Sequence, residues 1–260
     1  MRLEELFANE GINDPSIFKA VFLAGGPGSG KSYVSSKILA GSGLKTVNPD
    51  EALELLMDKE GLRKDMPDDE QEERDIVRKK AKGVTGNQQA LYIAGRLGLI
   101  IDGTAKDTSK VERIKKELEE IGYETRMIFV NTNLEVSVQR NTDRFEKEGG
   151  RKVPADILKK SWQNVQDNMM QFQQLFGPKR FYIVDNSGGL EDPDRKKNFD
   201  FVWKDMKKFL DSPPKNKAAL QWINAEKNRD RTPNKDQIGS PFDPNQKRTI
   251  PQISPGFSAK

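Results

Sequence analysis

The 260-residue chain contains neither cysteine nor histidine. Without cysteine there is no disulfide, no thiolate nucleophile and no Cys-based metal site; without histidine the usual general base and transition-metal ligand is missing too. Acid–base chemistry therefore falls to carboxylates, lysines or tyrosines. Long apolar runs are lacking as well. No stretch approaches membrane-spanning length, and the N-terminal MRLEELFANEGINDPS is acidic where a signal peptide would be basic and then apolar. The expectation is a soluble, cytoplasmic protein with no membrane partner.

An excess of one charge is also absent from most of the chain. Of 44 Lys/Arg and 40 Asp/Glu, nine and five lie in residues 211–260, which leaves 35 of each sign in residues 1–210. A formally neutral body lacks the basic excess usual in nucleic-acid-binding folds, so nucleic acid is not indicated as a partner by charge. The last fifty residues hold seven of the fourteen prolines and little apolar periodicity. A segment of that kind does not bury a core. The expected division is a domain over 1–210 and a flexible, Pro-rich basic tail over 211–260. The tail is expected to be disordered except for a short helix over 217–227, with Ala218, Ala219, Leu220, Trp222 and Ile223 available to dock on the domain or on a partner. Trp222, Phe242, Ile250, Ile253 and Phe257, isolated among prolines and polar residues, read as docking anchors for a protein partner.

What is present is a regular alternation. Apolar runs at 18–24, 44–47, 99–101, 124–131 and 180–184 read as strands, and amphipathic stretches between them read as helices, with one more helix over 201–210. Five strands alternating with helices predict a three-layer α/β/α fold around a parallel sheet, with ligands at the carboxyl ends of the strands.

The first strand runs straight into Gly25-Gly26-Pro27-Gly28-Ser29-Gly30-Lys31-Ser32, a full match to G-x-x-x-x-G-K-[ST] between a strand and a helix. Glycines let successive N–H groups converge on phosphate oxygens at a helix N-terminus; Lys31 reaches the β and γ phosphates, and Ser32 ligates Mg²⁺. ATP with Mg²⁺ is the expected cofactor. Asp50 stands where the second strand hands over to a helix, placed to align an acceptor hydroxyl for in-line attack, or else to cap the helix beside Asn48. Asp102 ends the run LIID and is expected at the metal, with Asp107 or a plain turn as the competing reading. No Glu follows Asp102 to polarise water, which argues against a motor ATPase, and no N-K-x-D guanine signature occurs. Arg140, Arg144 and Arg151 lie in QRNTDRFEKEGGRKVP, a charged helix end followed by two glycines. It reads as a lid that brings Arg144 and Arg151 onto the transferring phosphoryl group, or as a solvated helix face.

The order of P-loop, Asn48-x-Asp50, Asp102-Gly103-Thr104, Gly122-Tyr123, Arg144-Phe145-Glu146 and Gly150-Arg151-x-x-Pro154 resembles the zeta-toxin-type P-loop kinases, relatives of polynucleotide kinase. The resemblance covers roughly residues 17–189. It implies phosphoryl transfer to a hydroxyl, with Asp50 as catalytic base and Arg144 and Arg151 as lid arginines. The acceptor is left open among a nucleotide sugar, a nucleoside, a nucleic-acid 5′ end and a protein. Asp185-Asn186-Ser187-Gly188 resembles the stretch that passes beside the adenine in related kinases, which places Asn186 at the nucleotide. The sequence departs from the family at Leu53, where an Arg is frequent, and at Asp102, where Glu is preferred. The competing expectation is a nucleotide-binding interaction or assembly protein, such as a bacteriophage component, whose tail docks a partner.

Overall fold

The computed structural model describes residues 11–229, apart from 104, 105 and 190. Five strands form one sheet in the order β2-β3-β1-β4-β5: β1 (Lys19–Ala24), β2 (Lys45–Val47), β3 (Leu99–Asp102), β4 (Glu124–Asn131) and β5 (Phe181–Asp185). Every neighbouring pair is parallel. All six residues of central β1 are buried, which is why this strand reads as a continuous apolar run rather than an alternation.

The pleat sorts those residues between two cores. Ala20, Phe22 and Ala24 of β1, with Met127 and Phe129 of β4, face one cluster, while Val21 and Leu23, with Ile128 and Val130, face the other. On the first face lie α4 (Thr108–Glu120), α6 (Ala155–Phe176) and part of α3 (Gln71–Ala94), through Leu118, Val165, Phe172, Phe176 and Ile93. The second face is covered by α1 (Lys31–Ile38) and α7 (Pro193–Leu210), through Val34, Ile38, Val202, Met206, Phe209 and Leu210. Three layers result, as the alternation predicts.

A third, smaller core joins α2 (Pro49–Glu60) to α3, built from Leu53, Met57, Met66, Val77 and Ala81. Leu53, the residue in place of the family's frequent Arg, is 2% exposed and points into this core. α5 (Leu134–Glu148) packs against α6.

α7 starts at Pro193, not Phe201, because Asp192 caps it by accepting from the N–H groups of Asp194 and Arg195, and Pro193 presets the first turn. Beyond the boundary expected at residue 210, α8 (Lys217–Lys227) forms and packs on the first core. Asn216 caps it. Ala219 is fully buried against Gly122, where an added Cβ would lie 2.7 Å from the Ala219 nitrogen. The short helix expected over 217–227 is α8, and Trp222, expected to dock on the domain or on a partner, meets Phe18 edge-on with centroids 5.6 Å apart, with Arg96 5.7 Å over its ring. Buried Lys19 donates to Glu124 (2.5 Å) and to Ser212 (3.1 Å), and Glu124 also accepts from the backbone of Lys215 (2.8 Å), so the connection into α8 is held too. Phe242, Ile250, Ile253 and Phe257 lie outside the described residues. Among those described, no helix is long and apolar enough to cross a membrane.

Trp222→Ala removes a large ring from the junction of α8 with β1. It is expected to lower the unfolding free energy by about 2–3 kcal/mol in urea titrations. A loss below about 0.5 kcal/mol, the range of an ordinary surface change, would show that α8 contributes nothing to the packed body.

Candidate active site

The loop 25–32 sits at the carboxyl end of β1 and feeds α1. Its turns need left-handed backbone: φ is +75° at Gly28 and +83° at Gly30. Space forbids a side chain as well, since a Cβ on Gly28 would lie 2.3 Å from the Ser137 carbonyl oxygen and one on Gly30 would lie 2.3 Å from Asn186 Nδ2. Gly26 backs onto Trp162, whose Nε1 donates to the Thr132 carbonyl (2.7 Å). Gly30 caps α1 without any side-chain hydrogen bond, and the first turn carries no acid. The free N–H groups and positive end of α1 are thus left for an anion. Lys31 Nζ donates to the carbonyls of Gly25 (2.9 Å) and Gly26 (3.4 Å). Ser32 is exposed in the same first turn.

A second tier holds the loop from below. The Ser29 carbonyl accepts from Asn186 Nδ2 (2.8 Å), with Thr132 Oγ1 at 3.1 Å and Arg140 Nη1 at 3.4 Å. Asn186 is expected from the sequence to lie beside the base, but its polar groups are engaged within the protein. Its N–H donates to Asn131 (2.9 Å), its carbonyl accepts from Arg140 Nη2 (2.9 Å), and its Oδ1 accepts from Arg195 Nη2 (2.7 Å) and Nε (3.2 Å). Asn186 braces the loop. Arg195, which the sequence reading missed, is buried beside Tyr33 and Phe199, with its guanidinium 5.2 and 4.9 Å from their ring centroids.

Two carboxylates border the cleft. The cap of α2 is Asn48, whose Oδ1 accepts from the Asp50 N–H (2.9 Å). That frees the Asp50 side chain, which accepts from Arg151 Nη2 at 3.0 Å. The other end of the Asn48 amide donates from Nδ2 to Asp102 Oδ2 (3.0 Å), so a single side chain ties the ends of β2 and β3 together. Asp107, the competitor to Asp102, caps α4 by accepting from the Lys110 N–H (3.1 Å). Thr104 of the Asp-Gly-Thr motif lies outside the described residues.

The two carboxylates titrate in opposite directions. Burial pushes Asp50 up, but the charge and hydrogen bond of Arg151, joined by Lys31 and Arg144, prevail and hold it below the usual carboxylate range. Burial pushes Asp102 up to about 6; nearby Lys31 works against this, and Asp50 and Glu51 reinforce it. Asp102 Oδ1 is buried without a hydrogen-bond partner. Among the described residues no three acidic or imidazole side chains cluster as a metal cage. One carboxylate oxygen and one exposed hydroxyl are a donor set that fits Mg²⁺ shared with phosphates and water.

The segment read from the sequence as a lid follows α5. Gly149 ends α5 in the left-handed region (φ 65°), and the Gly150 N–H returns to the Arg144 carbonyl (2.9 Å). Asn141 then pins the chain beyond, donating to the Val153 carbonyl (2.8 Å) and accepting from its N–H (2.9 Å). Arg144 pairs with Glu54 of α2, and the Arg151 N–H donates to the same carboxylate (3.2 Å). Glu54 was not singled out from the sequence. The available signal was its place one helical turn after Asp50, on the same face of α2. Arg140 lies apart from the lid arginines, in the brace beneath the loop.

The family model described as Zeta toxin matches residues 9–197. The chain belongs to the zeta toxin family, and its fold is that of P-loop kinases. Solved structures similar to it include a protein from Chloroflexus aurantiacus j-10-fl described as a candidate kinase, with 15% identity, a TM-score of 0.53, and coverage of 74% of this chain and 97% of that one. Another is AvrRxo1-ORF1:AvrRxo1-ORF2 with sulphate ions, at 12% identity, a TM-score of 0.51, and coverage of 87% and 85%. A third belongs to the PezAT chromosomal toxin-antitoxin system of Streptococcus pneumoniae, at 15% identity, a TM-score of 0.47, and coverage of 81% and 97%. No curated protein matches the chain.

The raised Asp102 gives a pH signature. Its folded value of about 6 exceeds the ordinary 3.8, so the folded protein disfavours the charged form. The resulting loss of stability grows as pH rises from about 4 through 6 and is complete above that. In metal-free buffer Asp102→Asn is expected to be more stable than wild type at pH 7.5, by on the order of 1 kcal/mol, and to show no gain near pH 4. Urea titrations at the two pH values check it; an equal difference at both would remove the burial of a charge as the cause.

Proposed function

We propose that the chain is an ATP-dependent kinase that transfers the γ-phosphoryl group to a hydroxyl. The observation that supports this most is convergence. Lys31, Asp102, Asp50, Arg144 and Arg151 come from the loop after β1, from β3, from α2 and from the end of α5, yet Asp50 interacts electrostatically with Lys31, Arg144 and Arg151, and Asp102 with Lys31 and Asp50. In this reading the α1 N-terminus and Lys31 hold the triphosphate, and Ser32 with Asp102 would hold Mg²⁺, which would supply charge neutralisation at the phosphates. Arg144 and Arg151 stabilise the charge that develops on the transferring group. Asp50, ionised at neutral pH by its cationic surroundings, accepts the hydrogen bond of the acceptor hydroxyl and aligns it. Kinase neighbours and family membership are consistent with the reading. γ-Labelled ATP, incubated with pooled metabolites, oligonucleotides and proteins, identifies the acceptor.

Two substitutions separate binding from chemistry. Lys31→Ala is expected to abolish Mg-ATP binding in calorimetry with an unchanged melting curve; wild-type affinity in this variant would sink the phosphate-loop assignment. Asp50→Asn is expected to keep Mg-ATP affinity within a few fold and to lower turnover by about a hundredfold or more. Normal turnover in that variant would remove Asp50 from the chemistry.

A further inference from the structure

Both lid arginines are held by carboxylates of α2. Arg144 Nη2 donates to Glu54 Oε2, and the Arg151 backbone N–H donates to Oε1 of the same side chain at 3.2 Å. Arg151 Nη2 reaches Asp50 Oδ1 at 3.0 Å. The beginning and end of the segment 144–151 thus hang on one residue, one turn beyond Asp50. Glu54 is neither the cap nor a buried residue of α2: Asn48 caps the helix, and Leu53 and Met57 are buried. The Arg151 side chain is 8% exposed, and its Nε is buried without a hydrogen-bond partner, so donor capacity for an anion remains.

We propose that Glu54 is the latch of the lid, a positioning residue that holds Arg144 and the Arg151 backbone on α2 and competes with nucleotide phosphate for Arg144. The proposal rests on the kinase reading, in which these arginines serve the phosphates. A guanidinium edge engaged by a carboxylate is not available to a phosphate, so the two anions exchange rather than share. Mg-ATP draws Arg144 from Glu54, which loosens the segment and lets Arg151 leave Asp50. The Asp50 oxygen engaged by Arg151, Oδ1, is thereby released once the donor is in place.

The test is Mg-ATP calorimetry on wild type, Glu54→Gln, Arg144→Ala and the double variant. Glutamine keeps the shape and an oxygen for the Arg151 N–H but removes the charge that holds Arg144. With the pair partly solvated, Glu54→Gln is expected to bind Mg-ATP about two- to fivefold tighter. In the Arg144→Ala background the same change is expected to bring no gain. A merely structural role does not produce this coupling. Unchanged or weaker binding by Glu54→Gln overturns the latch. So does an equal gain with and without Arg144, which would mean only that a negative charge has left the cleft. If the wild type itself fails to bind Mg-ATP, the kinase reading falls and takes the latch with it; wild-type binding without the Arg144-dependent gain refutes the latch alone.

Discussion

A loop can aim its N–H groups outward at an anion only if its carbonyls find partners inward. An unsatisfied buried carbonyl costs about as much as several surface contacts provide. Here the Ser29 carbonyl is met by Asn186 Nδ2 and flanked by Arg140, while Gly25 and Gly26 carbonyls accept from Lys31. The rest follows from that arrangement. Asn186 must sit at the end of β5 with Arg195 behind it, and α7 must start early enough to supply Arg195, which the Asp192 cap ensures. Strand order sets the same requirement from the sheet: β4 lies between β1 and β5, so Asn131 at its end is placed to receive the Asn186 N–H.

Lys31 belongs to both sides of this balance. On the proposed reading its bonds to the loop carbonyls stand in for a phosphate, and an arriving phosphate oxygen would replace them without leaving the ammonium bare. The same economy of donors governs the lid, where each arginine already has a carboxylate. On the proposed reading the site is a set of exchangeable ion pairs rather than a field of one sign. That is how a chain with a formally neutral body can present phosphate-directed cations without a general attraction for polyanions.

The alternation of apolar runs with helices carried the architecture because strand and helix periods are local properties, legible a few residues at a time. β4 occupies Glu124–Asn131 as its apolar run suggests. The phosphate loop was legible for the same reason, since glycines at fixed spacing answer local demands of backbone angle. The lid latch and the loop brace were not, because they join residues distant in the chain: Glu54 with Arg151, Ser29 with Asn186, Asn186 with Arg195. α8 shows the limit from the other side. Its helical stretch and docking residues were legible, but the receiving surface was not: Ala219 and Trp222 pack where Gly122 lets the helix backbone approach and Phe18 offers a ring edge. Packing of that kind depends on a receiving surface that the segment's own sequence does not describe.

Leu53 and Asn48 together show how the acceptor side of the cleft is shaped. Leu53 lies three residues after Asp50 but turns inward, where it packs with Met57, Met66, Val77 and Ala81. An Arg there would have to leave that core or bury its charge within it, and a buried unpaired charge is among the most destabilising changes a fold can suffer. The first turns of α2 therefore offer the cleft Asp50, Glu51 and Glu54 and no cation. Asn48 holds this acidic edge in register, with its oxygen fixing the start of α2 and its amide nitrogen on Asp102. An aspartate at position 48 would keep the cap, but it would lose the donor to Asp102 and bring a further negative charge to an edge that already carries four carboxylates. The amide is the side chain that serves a helix N–H and a carboxylate at the same time, which is the requirement of a residue placed between α2 and β3.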